Sequence, residues 1–96
     1  MKTTILRSAM NDLAEGFLFY EKQEIGLGAC FLDSLFADID SLKLYGGIHR
    51  KVFGFYRLLS KRFPYAIYYE MEAMQIFVRA ILDGRRDPKW IRQKLK

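Results

Sequence analysis

Cysteine and histidine are nearly absent from this chain, which has one of each among its 96 residues, Cys30 and His49. One cysteine excludes a disulfide within the chain, and with one histidine it excludes a Cys/His zinc cluster or a triad that needs a second histidine. No Gly-rich phosphate loop stands between a strand and a helix, so we expect neither a metal nor an organic cofactor. Cys30 falls beside an apolar helical stripe and is predicted to be buried, whereas His49 is predicted to be solvated in a loop.

Long apolar runs are missing as well. No stretch of about 18 consecutive apolar residues occurs, so we expect no membrane span and no membrane partner. The first residues lack the apolar core of a signal peptide, which favours a cytoplasmic location. With 51% hydrophobic residues, the chain is expected to form a single domain, 1–96, around one core.

The charge is unevenly distributed along the chain. Residues 1–48 carry four basic and seven acidic side chains, a net charge of −3, whereas residues 49–96 carry twelve and four, a net charge of +8. A positive field in one half favours a nucleic acid, an acidic protein or an anionic membrane as partner, although a merely solvated basic surface has the same composition. Charge alone does not choose among them.

Two amphipathic helices are predicted in the first half, after a short strand at residues 3–6. Ser8 is the expected N-cap of the first helix, which should end at Gly26. Apolar residues at helical spacing form one stripe on each helix: Met10, Leu13, Phe17 and Tyr20 on the first, and Phe31, Leu35, Ile39 and Leu42 on the second, joined by Leu32 and Phe36. Asp33, Asp38 and Asp40 are expected on the solvent side of the second helix. The two helices form an αα-hairpin.

The second half predicts a three-stranded meander and a short basic helix. Strands are expected at 55–61, 65–71 and 75–83, after a loop that runs to about Gly54, because these runs are rich in aromatic and β-branched residues. Alternation places Ile76, Val78, Ala80 and Leu82 on one face of the last strand. Asp87 is the expected N-cap of the final helix, with Pro88 at its first position. The predicted fold class is α+β, with the hairpin packed on one face of a small, mainly antiparallel sheet.

Several strings of this sequence resemble the RelE/ParE superfamily, the toxins of type II toxin–antitoxin (plasmid stabilisation) systems. They are Phe19-Tyr20-Glu21, Gly26-Leu27-Gly28-Ala29, Arg62-Phe63-Pro64-Tyr65, and Gly84-Arg85-Arg86-Asp87-Pro88 with Trp90. Their order follows the family's strand, helical hairpin, meander and basic tail over almost the whole chain. The resemblance implies a toxin held inactive by a cognate antitoxin, usually acidic and partly disordered, in a hetero-oligomer.

The resemblance leaves two activities open. ParE-like members bind and inhibit DNA gyrase, whereas RelE-like members are endonucleases that cut messenger RNA on the ribosome. Where RelE-like enzymes have a strand arginine and a C-terminal tyrosine, this chain has Ala66 and the run Lys89-Trp90-Ile91-Arg92, and only Arg86 matches. The Asp-Pro and tryptophan of the ending resemble ParE-like members more. The prediction is therefore a non-enzymatic gyrase inhibitor, with the nuclease as the alternative and a non-toxic antitoxin-binding module as the third possibility.

The candidate site residues are mostly arginines of the basic half, because a planar guanidinium binds carboxylate or phosphate in a bidentate manner. The residues predicted to contact a partner are Arg57, Arg62, Tyr68, Arg85, Arg86 and Trp90. If the chain were a nuclease, Arg86, Lys61 and Arg62 would be its catalytic candidates.

Overall fold

The structure, a computed structural model, describes residues 1–96 and confirms the α+β class. Its elements in chain order are β1 (Lys2–Ile5), α1 (Arg7–Gln23), α2 (Leu27–Asp40), α3 (Leu42–Tyr45), β2 (Lys51–Val52), β3 (Phe55–Leu59), β4 (Tyr65–Glu72), β5 (Gln75–Asp83) and α4 (Pro88–Lys94). None of the four helices is both long enough and apolar enough to cross a bilayer.

The five strands form one mixed sheet in the order β1-β5-β4-β3-β2. β1 runs parallel to β5 at one edge, and the remaining neighbours are antiparallel. The predicted meander of β3, β4 and β5 is thus extended by β1 at one edge and by β2 at the other. β2 lies within the stretch before Gly54 that is predicted to be a loop. A two-residue strand is too short to show alternation in the sequence. It forms because Phe53 and Gly54 adopt positive φ angles of 55° and 86°, which turn the chain back into β3.

α1 and α2 pack on one face of the sheet, which we call the hairpin face. The predicted stripe of α2 is confirmed, since Phe31, Leu35, Ile39 and the following Leu42 are all buried. They meet the buried side chains of α1 and the inward residues of the sheet, namely Ala9, Leu13, Tyr20, Ile67, Tyr69, Ile76, Val78 and Ile81. This cluster is the main core.

Four expectations for the hairpin are wrong. α1 begins after Leu6, so Ser8 is not the N-cap, and its hydroxyl instead donates to the carbonyl of Arg79. Met10 and Phe36 are exposed, because the helices bury a narrower face than the stripes suggest. Asp38 is buried on the sheet side, where its carboxylate accepts a hydrogen bond from Ser60.

The alternation expected along β5 is also wrong, because a β-bulge interrupts it. Tyr68 pairs with Ala80 while Tyr69 pairs with Val78, so Arg79 is an extra residue on β5. Past the bulge the side chains exchange faces. Ile76, Val78 and Ile81 therefore point toward the hairpin, whereas Ala80 and Leu82 point to the opposite face.

α4 covers that opposite face, which we call the α4 face. Ile91 and Leu95 of α4 pack on the strand residues Ala66, Tyr68, Ala80 and Leu82. The predicted cap is confirmed, since the Asp87 carboxylate accepts a hydrogen bond from the backbone N–H of Lys89 at 2.8 Å and Pro88 opens the helix. The sheet consequently has a helix layer on each face.

Candidate functional site

Arg85 and Arg86, the basic pair that follows β5, make different contacts. The Arg85 guanidinium donates hydrogen bonds of 3.0 and 2.9 Å to the two carboxylate oxygens of Asp83, and these bonds lower the pKa of Asp83. The charge of Arg85 is thus largely balanced within its own turn. Arg86 makes no ion pair, and its guanidinium carbon lies 3.9 Å from the centroid of the Trp90 ring. Arg86 and Trp90 form one stacked unit at the surface.

An open pocket of about 210 Å³ lies beside this stacked unit. It is lined by Asp12, Glu15, Phe19, Tyr65, Leu82, Asp83, Arg86 and Trp90. The Asp12 carboxylate accepts a hydrogen bond from the backbone N–H of Ile81 at 2.9 Å, and burial raises the pKa of Asp12 to about 6. Because Asp83 is paired with Arg85, the carboxylates of Asp12 and Glu15 share the pocket with the guanidinium of Arg86, a field that does not favour the phosphate of an RNA substrate.

Lys61 and Arg62 lie elsewhere, in the turn between β3 and β4. They line a pocket of about 310 Å³ between α2 and this turn, whereas Arg86 lines the pocket beside α1 and α4. The two regions share one end of the sheet, where the backbone N–H of Gly84 donates to the carbonyl of Pro64 at 2.8 Å. The three residues predicted for a nuclease are nevertheless not gathered around one cavity.

Arg57 and Tyr68 are cross-strand neighbours on the α4 face. Tyr68 is only 2% exposed because α4 covers it, so the predicted partner contact through Tyr68 is not available on the surface of this fold. The Arg57 side chain is half-buried, and its Nε atom is buried without a hydrogen-bond acceptor. Arg57 is thus a cation of the sheet that no acidic side chain of the chain neutralises.

His49 lies in a loop as predicted, but it is half-buried and not fully solvated. Its Nδ1 is hydrogen-bonded to the hydroxyl of the buried Tyr69, which also accepts the backbone N–H of Gly47 at 3.0 Å. The tyrosine proton has no other acceptor, so we assign it to Nδ1 and place the imidazole proton on Nε2. Burial lowers the pKa of His49, which favours this neutral form. With both nitrogens occupied, His49 is poorly arranged to act as a general base.

The sequence carries no signal for this contact, because Tyr69 approaches His49 only through the tertiary fold. Cys30, predicted to be buried, is exposed, since α2 turns this side chain away from the sheet. No three His, Cys, Asp or Glu side chains form a group that could hold a metal ion.

Comparison with known proteins adds information on the fold. No family model and no curated protein matches the sequence. A chain of the solved structure described as "Chromosomal ParDE TA system from P. aeruginosa" superimposes with a TM-score of 0.76 and 16% sequence identity. The match covers 84% of this chain and 92% of that chain. At this identity the match concerns the fold alone: this chain shares the fold of a chain of that ParDE system, which supports the predicted architecture.

Proposed function

We propose that the chain is the toxin of a type II toxin–antitoxin pair, and that it inhibits bacterial growth by binding DNA gyrase without cutting RNA. The observation that carries the proposal is the fold shared with a chain of a ParDE toxin–antitoxin system. The Asp-Pro ending followed by Trp90, which resembles ParE-like members, supports the choice of target.

Binding of an acidic antitoxin is supported by charge and by exposed apolar side chains. The half of the chain from residue 49 onward has a net charge of +8, so an acidic partner would be attracted to it. On α1, Met10, Ala14 and Leu18 recur every four residues on one outer face, and Met10 and Leu18 are 47% and 56% exposed. An uncovered apolar helix face of this kind is typical of a protein that works in complex.

A binding role is favoured over RNA cleavage by the arrangement of the polar groups. Cleavage through a 2′-hydroxyl needs a base, an acid and cations around one phosphate. Here Arg86 shares its pocket with carboxylates, Lys61 and Arg62 line another pocket, and the Nδ1 of His49 is bound to the Tyr69 hydroxyl. Arg86 and Trp90 instead make a compact aromatic–cation surface, a composition common at the centre of protein interfaces.

The experiment is induction of the chain alone in bacteria, with DNA and protein synthesis followed separately. We expect DNA synthesis to fall first and the cells to filament. In vitro, the purified chain should inhibit supercoiling by gyrase, and an Arg86→Ala/Trp90→Ala variant that keeps its melting temperature should inhibit it less.

Three other outcomes would contradict parts of the proposal. Early loss of translation, with cuts of the message in the ribosomal A site that vanish in Arg86→Ala, would establish the nuclease. Growth arrest with neither effect would exclude both targets. No growth effect, together with tight antitoxin binding, would leave a non-toxic antitoxin-binding module.

A further inference from the structure

The pocket between α2 and the β3–β4 turn has an acidic wall and a basic wall. Its volume is about 310 Å³, and it is lined by Asp33, Ser34, Ala37, Asp38, Ser41, Lys61 and Arg62. The α2 residues follow one another at positions that share a helix face. Lys61 and Arg62, both exposed, stand across from them. Although opposite charges line one pocket, neither Lys61 nor Arg62 forms an ion pair with an α2 carboxylate. The gap between the walls is thus open to a ligand.

The floor of the pocket holds two polar side chains that are about nine-tenths buried. Ser34 is 9% exposed and Asp38 is 8% exposed. Asp38 Oδ2 accepts a hydrogen bond of 2.8 Å from the Ser60 hydroxyl, but Asp38 Oδ1 and Ser34 Oγ have no hydrogen-bond partner in the chain. Neither oxygen is among the buried atoms that lack a partner, so both reach the open space of the pocket, where the carboxylate oxygen can accept a hydrogen bond and the hydroxyl can accept or donate one.

The chemistry of the two walls defines the ligand. The floor offers a carboxylate oxygen and a hydroxyl oxygen, which match the planar N–H fork of a guanidinium better than the point charge of an ammonium. Lys61 and Arg62, which line the same pocket, offer cationic donors for a carboxylate of the same ligand. A phosphate or other simple anion would meet Asp33 and Asp38, so it fits the pocket less well.

We propose that this pocket receives an arginine side chain of the antitoxin, and that an acidic residue adjacent to that arginine contacts Lys61 and Arg62. The identity of the partner rests on the proposed function, whereas the recognition of an Arg-Glu pair rests on the pocket alone. The arginine fixes which residues of the antitoxin segment lie over the pocket. The acidic residue pairs with the positive charge of Lys61 and Arg62.

The test is an NMR titration of the full ¹⁵N-labelled chain with the blocked dipeptide Ac-Arg-Glu-NH2. We expect saturable shifts confined to amides around Ser34, Asp38 and Lys61. Asp38→Asn keeps an oxygen for Ser60 and should weaken binding roughly tenfold, because it removes a charged hydrogen bond. Asp40→Asn, two residues along the same helix and outside the pocket, is the matched control and should leave binding unchanged.

Charge reversal supplies a variant at exposed positions, where folding is not at risk. Lys61→Glu/Arg62→Glu should lose affinity for Ac-Arg-Glu-NH2 and gain affinity for Ac-Arg-Lys-NH2. Equal shifts with inorganic phosphate or with Ac-Gln-Glu-NH2 would reveal an anion site only. Either that result, or shifts that neither Asp38→Asn nor the charge reversal changes, would overturn the proposal.

Measurements with the antitoxin separate the pocket from the proposed function. If a small protein encoded beside this chain binds it and Asp38→Asn weakens the complex about tenfold while Asp40→Asn does not, both proposals hold. If the complex is insensitive to Asp38→Asn, the pocket proposal fails and the toxin–antitoxin proposal stands. If no such protein binds while the dipeptide result holds, the toxin–antitoxin proposal fails and the pocket still recognises an Arg-Glu pair.

Discussion

At the scale of single residues, Asp12 is a carboxyl group that the fold partly buries, although a carboxyl group is normally ionised and solvated. Its carboxylate accepts a hydrogen bond from the backbone N–H of Ile81, which follows the bulge in β5. The pairing of β1 with β5 ends before Ile81, so α1 supplies the acceptor that β1 does not provide. The pKa of Asp12 is raised from 3.8 to about 6, because burial, the largest influence, and the neighbouring Glu15 raise it more than the hydrogen bond from Ile81 lowers it. The charged form is therefore disfavoured in the folded state.

This gives a prediction for stability against pH. The folded chain binds the Asp12 proton more tightly than the unfolded chain, so the stabilising contribution is complete below pH 3.8 and is lost as the pH rises through about 6. Asp12→Asn stays neutral and keeps an acceptor for Ile81. We expect it to raise the free energy of unfolding at pH 7 by about 1 kcal/mol, a value reduced by solvent screening at this half-exposed site, and to have little effect at pH 4.

Urea unfolding at pH 4 and pH 7 measures this effect. Asp12→Ala removes the acceptor and should lower the stability at both pH values, while Glu24→Gln, an exposed carboxyl on the same hairpin, should change neither. If Asp12→Asn were less stable than the parent chain at pH 7, the hydrogen bond to Ile81 would depend on the negative charge.

At the scale of elements, the connection between α1 and α2 is held by the side chain of Glu21 as well as by the conformation of its glycines. The Glu21 carboxylate accepts hydrogen bonds from the backbone N–H groups of Gly26 and Gly28, at about 3 Å each. Gly26 has a φ of 93°, a conformation that favours glycine and lets α2 begin after only three residues beyond the end of α1. Glu21 thus satisfies N–H groups at the start of α2 that no helix turn can satisfy.

We expect Glu21→Ala to lower the free energy of unfolding by about 1–2 kcal/mol, because two backbone N–H groups lose their acceptor. Chemical denaturation monitored by circular dichroism measures the loss. Glu21→Gln keeps one acceptor oxygen and should lose less. A parent-like Glu21→Ala would mean that the glycines alone fix the joint.

At the scale of the whole molecule, the charge separation seen in the sequence is only partly preserved in space. Acidic residues of the first half approach the basic half in two pockets: Asp12 and Glu15 beside Arg86, and Asp33 and Asp38 beside Lys61 and Arg62. Basic residues away from these pockets, such as Arg57, retain an uncompensated charge. The positive charge therefore attracts an acidic partner in general, and the acidic residues in the two pockets restrict which partner sequences fit.

For the gyrase-binding proposal we expect graded loss of toxicity. Arg86→Ala and Trp90→Ala should each reduce toxicity in part and together nearly abolish it, because residues of a contact surface each contribute about 1–4 kcal/mol. Arg85→Ala should have the smallest effect, since Arg85 is already paired with Asp83. Growth curves after induction measure this, with melting temperatures as the folding control. Complete loss in every single variant would instead indicate catalytic groups that act as a unit.

For the antitoxin we expect a strong rise in melting temperature on binding, because a partner that binds only the folded chain stabilises it by mass action. Affinity should fall as salt increases, since charge contributes to the attraction. A Leu18→Ser variant on the outer face of α1 should weaken the complex without lowering the stability of the free chain, because Leu18 is 56% exposed. An unchanged complex would place the antitoxin elsewhere.

The sequence by itself determined the elements whose signals are local. The buried stripe of α2, the Asp87-Pro88 start of α4, the meander of β3, β4 and β5, and the α+β class all follow from periodicity, capping and turn chemistry. Each depends on residues within a few positions of one another, and such interactions can be read along the chain.

Only the tertiary structure decided the rest, because those features depend on contacts between distant residues. The β5 bulge exchanges the faces of Ala80 and Leu82, and no alternation pattern records the inserted residue. α4 buries Tyr68, and the approach of the β3–β4 turn to α2 makes Asp38 the floor of a pocket. The family resemblance singles out Arg86, and Lys61 and Arg62 lie beside the same predicted sheet. Packing against different helices nevertheless separates the three residues into two pockets.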